Sequence, residues 1–360
     1  MELVIKQIIN ENDFKDYIKA VDSFNIVNPF YKNLGANLND LLGDQLHYFI
    51  LKSEHNTILI LMPFLLRKIN SDITQDTYFD ITSPYGYSGP LFNQNLTKEQ
   101  LVKFWSLVDD WYRDNNVVSE FIRFSLNDNH NYYSGTLVPT LTNVKGRIMP
   151  HTDLWNNFKQ KVRNNYRKSI SYNLKIQVLR HNITKENVQL FHNIYTQTMT
   201  RINASKEYFF SFNYFNNIVE LNQGNCLIVF IYKEHIAIST ELILISGDTL
   251  FSYLGGTLSD YFNTRPNDFL KIEVMKWARD NNINCYVLGG GREDNDSLYQ
   301  YKKSFFPNDQ DVVYYTGRKI INATVYKKLT QELQNQVDAP DNQSNYFPSY
   351  RPQYTKVKTK

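Results

Sequence analysis

Trp111-Tyr-Arg-Asp-Asn-Asn116 recurs 166 residues further on as Trp277-Ala-Arg-Asp-Asn-Asn282. Each copy closes a run of helical periodicity and leads into an apolar stretch, Val117–Phe124 in one half and Ile283–Leu288 in the other. At the same offset Gly89, in Tyr-Ser-Gly-Pro, falls on Gly255, in Leu-Gly-Gly. Upstream the halves correspond again. Leu46–Leu51, the turn Ser53–Asn56 and Thr57–Leu66 spell a hairpin, as do Cys226–Tyr232, Lys233–His235 and Ile236–Ile245. Ser246-Gly-Asp248 then turns into a third strand over Thr249–Leu254. A shared strand–turn–strand–Gly–helix–strand order marks a duplicated domain.

Helices fill the gaps between these strands. Thr97 and Gln100 form a capping box ahead of Leu101, Phe104, Trp105, Val108 and Trp111, which share one helical face. In the second half Pro266 suits a first helical turn, Asn267 or Asp268 can cap, and Leu270, Val274, Trp277 and Ala278 make the apolar stripe. Leu154, Trp155, Phe158, Val162, Tyr166 and Ile170 predict a further helix, opened by Thr152-Asp153. Val188, Phe191, Tyr195, Met199 and Ile202 predict another. The expected fold class is α+β (mixed α/β), with a first domain over residues 1–150 and a second, the more motif-rich and active half, over 151–337. Residues 338–360 lack periodicity and read as a flexible C-terminal tail.

Composition agrees with two globular domains. At 360 residues, 42% apolar and 21% charged, the chain can bury a core and is no disordered segment, collagen-like fibre or simple coiled coil. A net charge of +3 neither demands nor forbids a nucleic-acid partner. Cys226 and Cys285 stand far apart without Cys or His at ligand spacing, so no disulfide framework and no metal site are expected, and a reducing, cytoplasmic setting is. Met1–Asn10 is too short and charged for a signal peptide, and the apolar run Ile58–Leu66 falls well short of the roughly 20 residues that cross a bilayer.

Hydrolase and metalloenzyme templates are missing: no Gly-x-Ser-x-Gly elbow, no His-Glu-x-x-His, no phosphate-binding Walker loop. His181 and His192 read as surface or satisfied side chains. Charge is more informative. From Leu154 to Lys185 there are eight basic residues and no acid, which suits either a solvated helix face or a site for a pyrophosphate, a nucleotide or an RNA backbone. Gly289-Gly290-Gly291, directly after an apolar strand, serves a tight turn or a backbone cradle for an anion. Beyond it, Lys302 or Lys303 points back toward the strand ends or faces solvent. Arg265-Pro-Asn267 opens a helix and offers an anion site or plain capping. Tyr85, in Ser83-Pro-Tyr-Gly-Tyr87, sits in an aromatic loop that lines a cleft or merely turns a hairpin. Glu241 interrupts an apolar strand, as a buried base or on an exposed face.

Pro84-Tyr-Gly-Tyr-Ser-Gly-Pro90, Lys161-Val-Arg-Asn-Asn-Tyr-Arg-Lys168, Arg265-Pro-Asn267 and Leu288-Gly-Gly-Gly291 with Asp296-Ser-Leu-Tyr-Gln-Tyr-Lys-Lys-Ser-Phe305 together resemble the FemABX-like and BioF2-like branch of the GNAT acyltransferase superfamily. The resemblance runs in order over roughly residues 1–335. It implies two tandem GNAT-like domains, each a mixed, largely antiparallel sheet flanked by helices. It further implies an acyltransferase that forms an amide on an amino sugar or another cell-envelope precursor. The donor it implies is acyl-CoA, in particular acetyl-CoA; an aminoacyl-tRNA, as in peptidoglycan bridge formation, is the alternative donor, and a non-catalytic binder of phosphorylated precursors the alternative role. No DNA partner and no metal follow from it. Lys302 matches its cationic position, and Arg163, Asn164 and Arg167 match an Arg-Asn-x-x-Arg pattern placed near substrate or donor phosphates. The common GNAT acyl-CoA loop, Arg/Gln-x-x-Gly-x-Gly/Ala, occurs in neither half, and the long helical arm of the bridge enzymes is missing. On this reading Lys302 and the Gly289–Gly291 amides stabilise an oxyanion, while Glu241 or a water takes the proton.

Overall fold

In the computed structural model, which describes residues 1–24, 28–34, 44–71, 76–93, 96–336 and 346–351, the repeated hexapeptide is a helix stop. Helix α3 (Lys98–Asp114) ends on Asn115, whose Nδ2 donates to the Trp111 carbonyl at 2.8 Å. Helix α8 (Pro266–Asp280) ends on Asn281, whose Nδ2 donates to the Trp277 carbonyl, also at 2.8 Å. Asn116 and Asn282 then adopt left-handed φ angles of 54° and 58°. Asparagine tolerates that region better than other side chains, so the two Asn–Asn pairs release the chain into a strand.

Two compact units result, one made of Met1–Asn25, Asn37–Thr140 and Tyr314–Lys360, the other of Ile26–Ala36 and Leu141–Val313. The first holds β1 (Glu2–Gln7), α1 (Glu11–Asp22), β2 (Gln45–Lys52), β3 (Ile58–Ile69), β4 (Tyr78–Thr82), β5 (Leu91–Phe92), α3 and β6 (Val117–Arg123). It also holds most of β13 (Val312–Ile320) and α10 (Ala323–Gln336). Its sheet runs β1-β2-β3-β4-β6-β13, with β5 on β3, and among the described residues only the strands β4 and β6 pair in parallel. Phe49, Phe64, Phe104, Trp105 and Tyr112 fill the core between sheet and α3.

The second unit holds α2 (Pro29–Lys32), most of β7 (Thr136–Arg147), α4 (His151–Asn157), α5 (Gln160–Ile170), β8 (Lys175–Leu179), α6 (Lys185–Arg201) and α7 (Phe212–Leu221). After these come β9 (Cys226–Lys233), β10 (Ile236–Ser246), β11 (Thr249–Thr257), α8, β12 (Cys285–Gly289) and α9 (Ser297–Lys303). Its sheet, β8-β9-β10-β11-β12-β7, repeats the order of the first, and again one central pair, β11 and β12, is parallel. The mixed, largely antiparallel sheets flanked by helices are those expected.

The last strand of each sheet is exchanged. β7 follows β6 in the chain but pairs with β12, and β13 follows β12 but pairs with β6. The units therefore divide near residues 140 and 313, whereas the expected boundaries fall at 150 and 337. Backbone pairing, which no local pattern reports, sets the division. Helix α10 stays with the first unit, where Val325 and Leu329 pack with Ile69, Val118 and Tyr350. Residues 346–351, expected in the tail, are likewise docked. Tyr350 bonds Ser119 at 2.7 Å and donates to Asp80 at 3.1 Å, and Arg351 pairs with Asp80 at 2.8 Å. Asp80 is fully buried, which accounts for the docking: a buried carboxylate needs charge and hydrogen-bond partners. The remainder of the expected tail lies outside the described residues.

The helix expected over residues 154–170 is broken. Phe158 and Lys159 are extended, with ψ of 142° and 149°, because the Lys159 amide donates to the Ser304 carbonyl at 3.0 Å. No helix among the described residues is long and apolar enough to cross a membrane. Gly146, on β7, faces the Phe306 ring so closely that a Cβ would lie 1.9 Å from it. Gly146→Ala is therefore expected to destabilise by about 1–3 kcal/mol through overpacking. Urea unfolding checks this; an unchanged midpoint would mean the ring moves aside without cost.

Candidate functional site

The parallel strands β11 and β12 pair over three positions only, Thr249↔Cys285 to Phe251↔Val287. Beyond them β11 stays with β10 as far as Thr257, while β12 shifts register between Val287 and Gly289 and continues along β7. The two strands diverge and leave a wedge at their carboxyl ends, the place where α/β sheets bind ligands. The corresponding pair in the first unit stays closed. After β4 and β6, Ser83 N donates to Phe121 O at 3.0 Å, Ser88 N donates to Arg123 O at 2.9 Å, and Ser88 bridges to Phe124.

Four side chains meet at the base of the wedge. Glu241, on β10, is 5% exposed and pairs through Oε1 with Lys271 Nζ of α8 at 2.5 Å. Ser252 of β11 donates to the same oxygen, and Tyr286 OH of β12 does so at 3.1 Å. Lys271 also donates to Ser252 Oγ at 3.1 Å and to Tyr286 OH at 3.2 Å. Burial and the Glu241 carboxylate hold the Tyr286 phenol well above its ordinary pKa. Glu241 is thus buried, as one of the two expectations had it, but it is bound to a lysine and two hydroxyls. Its committed oxygen speaks against the base role.

Lys302, on α9, reaches the other wall and donates to the Gly290 carbonyl at 2.6 Å. Burial pulls its ammonium down to about 8; the Lys271 charge adds to the fall, and Glu241 and Asp296 oppose it. Gly289 has φ of +78°, and a Cβ there would lie 3.4 Å from Lys302 Nζ. At Gly290 a Cβ would meet the Thr142 carbonyl at 2.9 Å, and at Gly291 it would strike Asp296 Oδ1 at 2.0 Å. Asp296 caps α9 by accepting from Tyr299 N at 2.8 Å and also accepts from Arg292 N at 2.8 Å. The three glycines let the strand end, the lysine and the next helix cap come together.

Glu241, Lys302, Gly289 and Gly290 are therefore gathered at the wedge, with Gly291 on the turn beside it. The other expected residues stand elsewhere. Arg163 donates to the Trp155, Asn156 and Phe158 carbonyls and to Gln160 Oε1 at 2.7 Å, closing the end of α4. That guanidinium is spent on its own backbone rather than presented as an open fork for the phosphate expected of it. Asn164 and Arg167 are exposed on α5; Asn164 Oδ1 accepts from Gln160 and Arg167, and Arg167 lies 5.4 Å over the Trp155 ring. Arg265 is exposed at the α8 N-cap in a left-handed conformation, φ 59°. Asn267 does not cap: its Oδ1 accepts from Thr257 Oγ1 at 2.6 Å and Ser239 Oγ at 3.2 Å, tying the helix to β10 and β11. Tyr85 belongs to the first unit and is 40% exposed.

Sequence reasoning missed Lys271, Ser252 and Tyr286. Lys271 had a signal: it stands three residues before Val274 and seven before Ala278, inside the apolar stripe of α8, where a charge implies a buried partner.

Residues 159–303 match the acetyltransferase (GNAT) domain family. No curated protein sequence matches the chain. Among solved structures, FemX shares 14% identity with a TM-score of 0.60, covering 91% of this chain and 99% of its own. The C-terminal domain of a putative lysylphosphatidylglycerol synthetase from Agrobacterium fabrum shares 8% identity at a TM-score of 0.55, with 85% of this chain and 92% of that one covered. L-PGS from Bacillus licheniformis shares 11% identity at 0.54, with 90% and 96% covered.

Proposed function

We infer that this chain, which carries a GNAT acetyltransferase domain over residues 159–303 on a fold shared with FemX, is an N-acyltransferase that joins an ester-borne aminoacyl group to an amine of a cell-envelope precursor. The wedge of the second unit is the reaction centre. There the attacking nitrogen forms a bond to the carbonyl carbon, the carbon–oxygen ester bond breaks, and the proton lost by the amine balances the one gained by the leaving hydroxyl. Positioning the two substrates supplies much of the rate. Lys302, a buried ammonium whose hydrogen bond goes to a neutral carbonyl, faces the developing oxyanion together with the Gly289–Gly291 backbone.

The start of α8 carries the choice of donor. Acyl-CoA brings a pyrophosphate, and a helix N-terminus after a strand suits one because its first N–H groups are free. Here the first helical residue is Pro266, which has no N–H, and the first turn already contains the buried carboxylate of Asp268. A pyrophosphate there would keep Arg265 but lose one donor and approach a carboxylate, so this terminus favours a donor without one. A charged tRNA needs no such cradle. Its phosphates can meet the exposed Lys159, Lys161, Arg167, Lys168 and Lys175 of the α5–β8 segment. The envelope acceptor is what the sequence resemblance implies, and the likeness to the domain of a putative lysylphosphatidylglycerol synthetase supports it.

Calorimetric titration with acetyl-CoA should give no micromolar binding. Charged tRNA should bind with an affinity whose logarithm falls linearly with log salt, by roughly 0.7–0.9 per phosphate contacted. Micromolar acetyl-CoA binding, or salt-independent tRNA binding, would overturn the donor assignment.

A further inference from the structure

Two groups flank the wedge without serving its Glu241–Lys271 network. Asp268 stands in the first turn of the helix that follows β11. It is 5% exposed, its side-chain donor is Asn165 Nδ2 at 3.2 Å, and no ion pair to it forms among the described residues. Burial raises its pKa, while Asn165, Arg265 and Lys161 pull it back. Tyr301 stands on the helix that follows β12, one residue before Lys302, its ring edge-on to Phe305 at 5.3 Å. Its hydroxyl is buried and has no hydrogen-bond partner among the described residues. Burial, then the charges of Asp268 and Glu241, hold that phenol in its neutral form.

A buried hydroxyl with no partner is a cost to the fold unless a ligand satisfies it. Of the two carboxylates whose charge reaches it, Glu241 is already paired with Lys271, and Asp268 has no ion pair among the described residues. A buried carboxylate without an ion pair lacks a cation. It suits a small cation that also has N–H groups to give, since a neutral phenol can accept one and a carboxylate another. We propose that Asp268 and Tyr301 form a subsite for a primary ammonium group at the mouth of the β11–β12 wedge. The proposal rests on the wedge being the reaction centre. The ammonium has two possible sources there, the α-amino group of the transferred aminoacyl unit or the amino group of the acceptor.

Saturation-transfer NMR on the whole protein tests the subsite with three probes: L-alaninamide for the donor, D-glucosamine for the acceptor, and N-acetyl-L-alaninamide as the blocked control. Binding of one free amine, with at least tenfold weaker binding of the blocked amide, is expected. Alaninamide binding assigns the subsite to the donor and glucosamine binding assigns it to the acceptor. Asp268→Asn should weaken the bound amine by about 10–100-fold, the range for a hydrogen bond to a charged group. Tyr301→Phe should weaken it several-fold while leaving the thermal midpoint unchanged or higher. The proposal is overturned if neither amine binds, if the blocked amide binds equally well, or if Tyr301→Phe lowers the midpoint and so reveals a structural partner for the hydroxyl. Amine binding without turnover of charged tRNA would instead sink the donor assignment and leave the subsite standing.

Discussion

Lys302→Ala is expected to lower amide formation by about 10²–10³-fold, the usual cost of removing one oxyanion donor. The fold should tolerate it. Lys302 is a desolvated cation whose hydrogen bond goes to the Gly290 carbonyl at 2.6 Å, so its removal takes away a buried charge and exposes no carboxylate. Its pKa also sets the direction of the pH profile. A lysine lowered to about 8 loses its charge as pH rises through that value. If the charge stabilises the oxyanion, kcat/KM falls above about pH 8, and Lys302→Arg, charged at every accessible pH, flattens that limb. A base would give the opposite slope, with activity climbing through pH 8. Single-turnover rates measured from pH 6 to 10 separate the two; a rising limb, or an alanine variant as fast as the wild type, removes Lys302 from the proposed role.

Glu241→Ala should destabilise the second unit by about 3–5 kcal/mol, the cost of leaving a buried charge without its partner. The side chains of Glu241 and Lys271 are only 6% and 12% exposed, and Ser252 and Tyr286 would lose their acceptor as well. Replacing both members, Glu241→Leu with Lys271→Met, should recover most of that loss, because an apolar pair of similar size does not carry the desolvation penalty. Urea unfolding of the two variants provides the comparison. A Glu241→Ala protein of undiminished stability but no activity would return the glutamate to the role of base.

Much of this arrangement was legible in the chain. The hairpins and the strand after each repeat follow from local periodicity, and the likeness to a GNAT acetyltransferase domain from motifs in order. Lys302 and the glycines were legible too, because a glycine run after a strand and a lysine on the next helix are read within twenty residues. What escaped depends on distant partners. Nothing near Glu241 reports that Lys271 neutralises it. Arg163 looks like a free guanidinium until the break at Phe158–Lys159 brings three carbonyls to it. Asn267 resembles a cap but serves Thr257 and Ser239 instead. Tyr350 and Arg351 lie in a stretch without periodicity, and only the buried Asp80 gives them a place.

The exchange of β7 and β13 has an evolutionary consequence. A duplicated gene can ordinarily discard one copy once its activity lapses, because the other folds alone. Here either half of the chain, cut near residue 150, would lack the sixth strand of its own sheet and expose an open edge where β6 or β12 expects a neighbour. The first unit differs from the second at the corresponding place. Its central parallel pair is closed, and the position 166 residues before Lys302 holds Thr136. A strand that the other sheet requires cannot be lost without opening that sheet, so the exchange acts as a ratchet that keeps both units in the lineage whatever becomes of either one's chemistry.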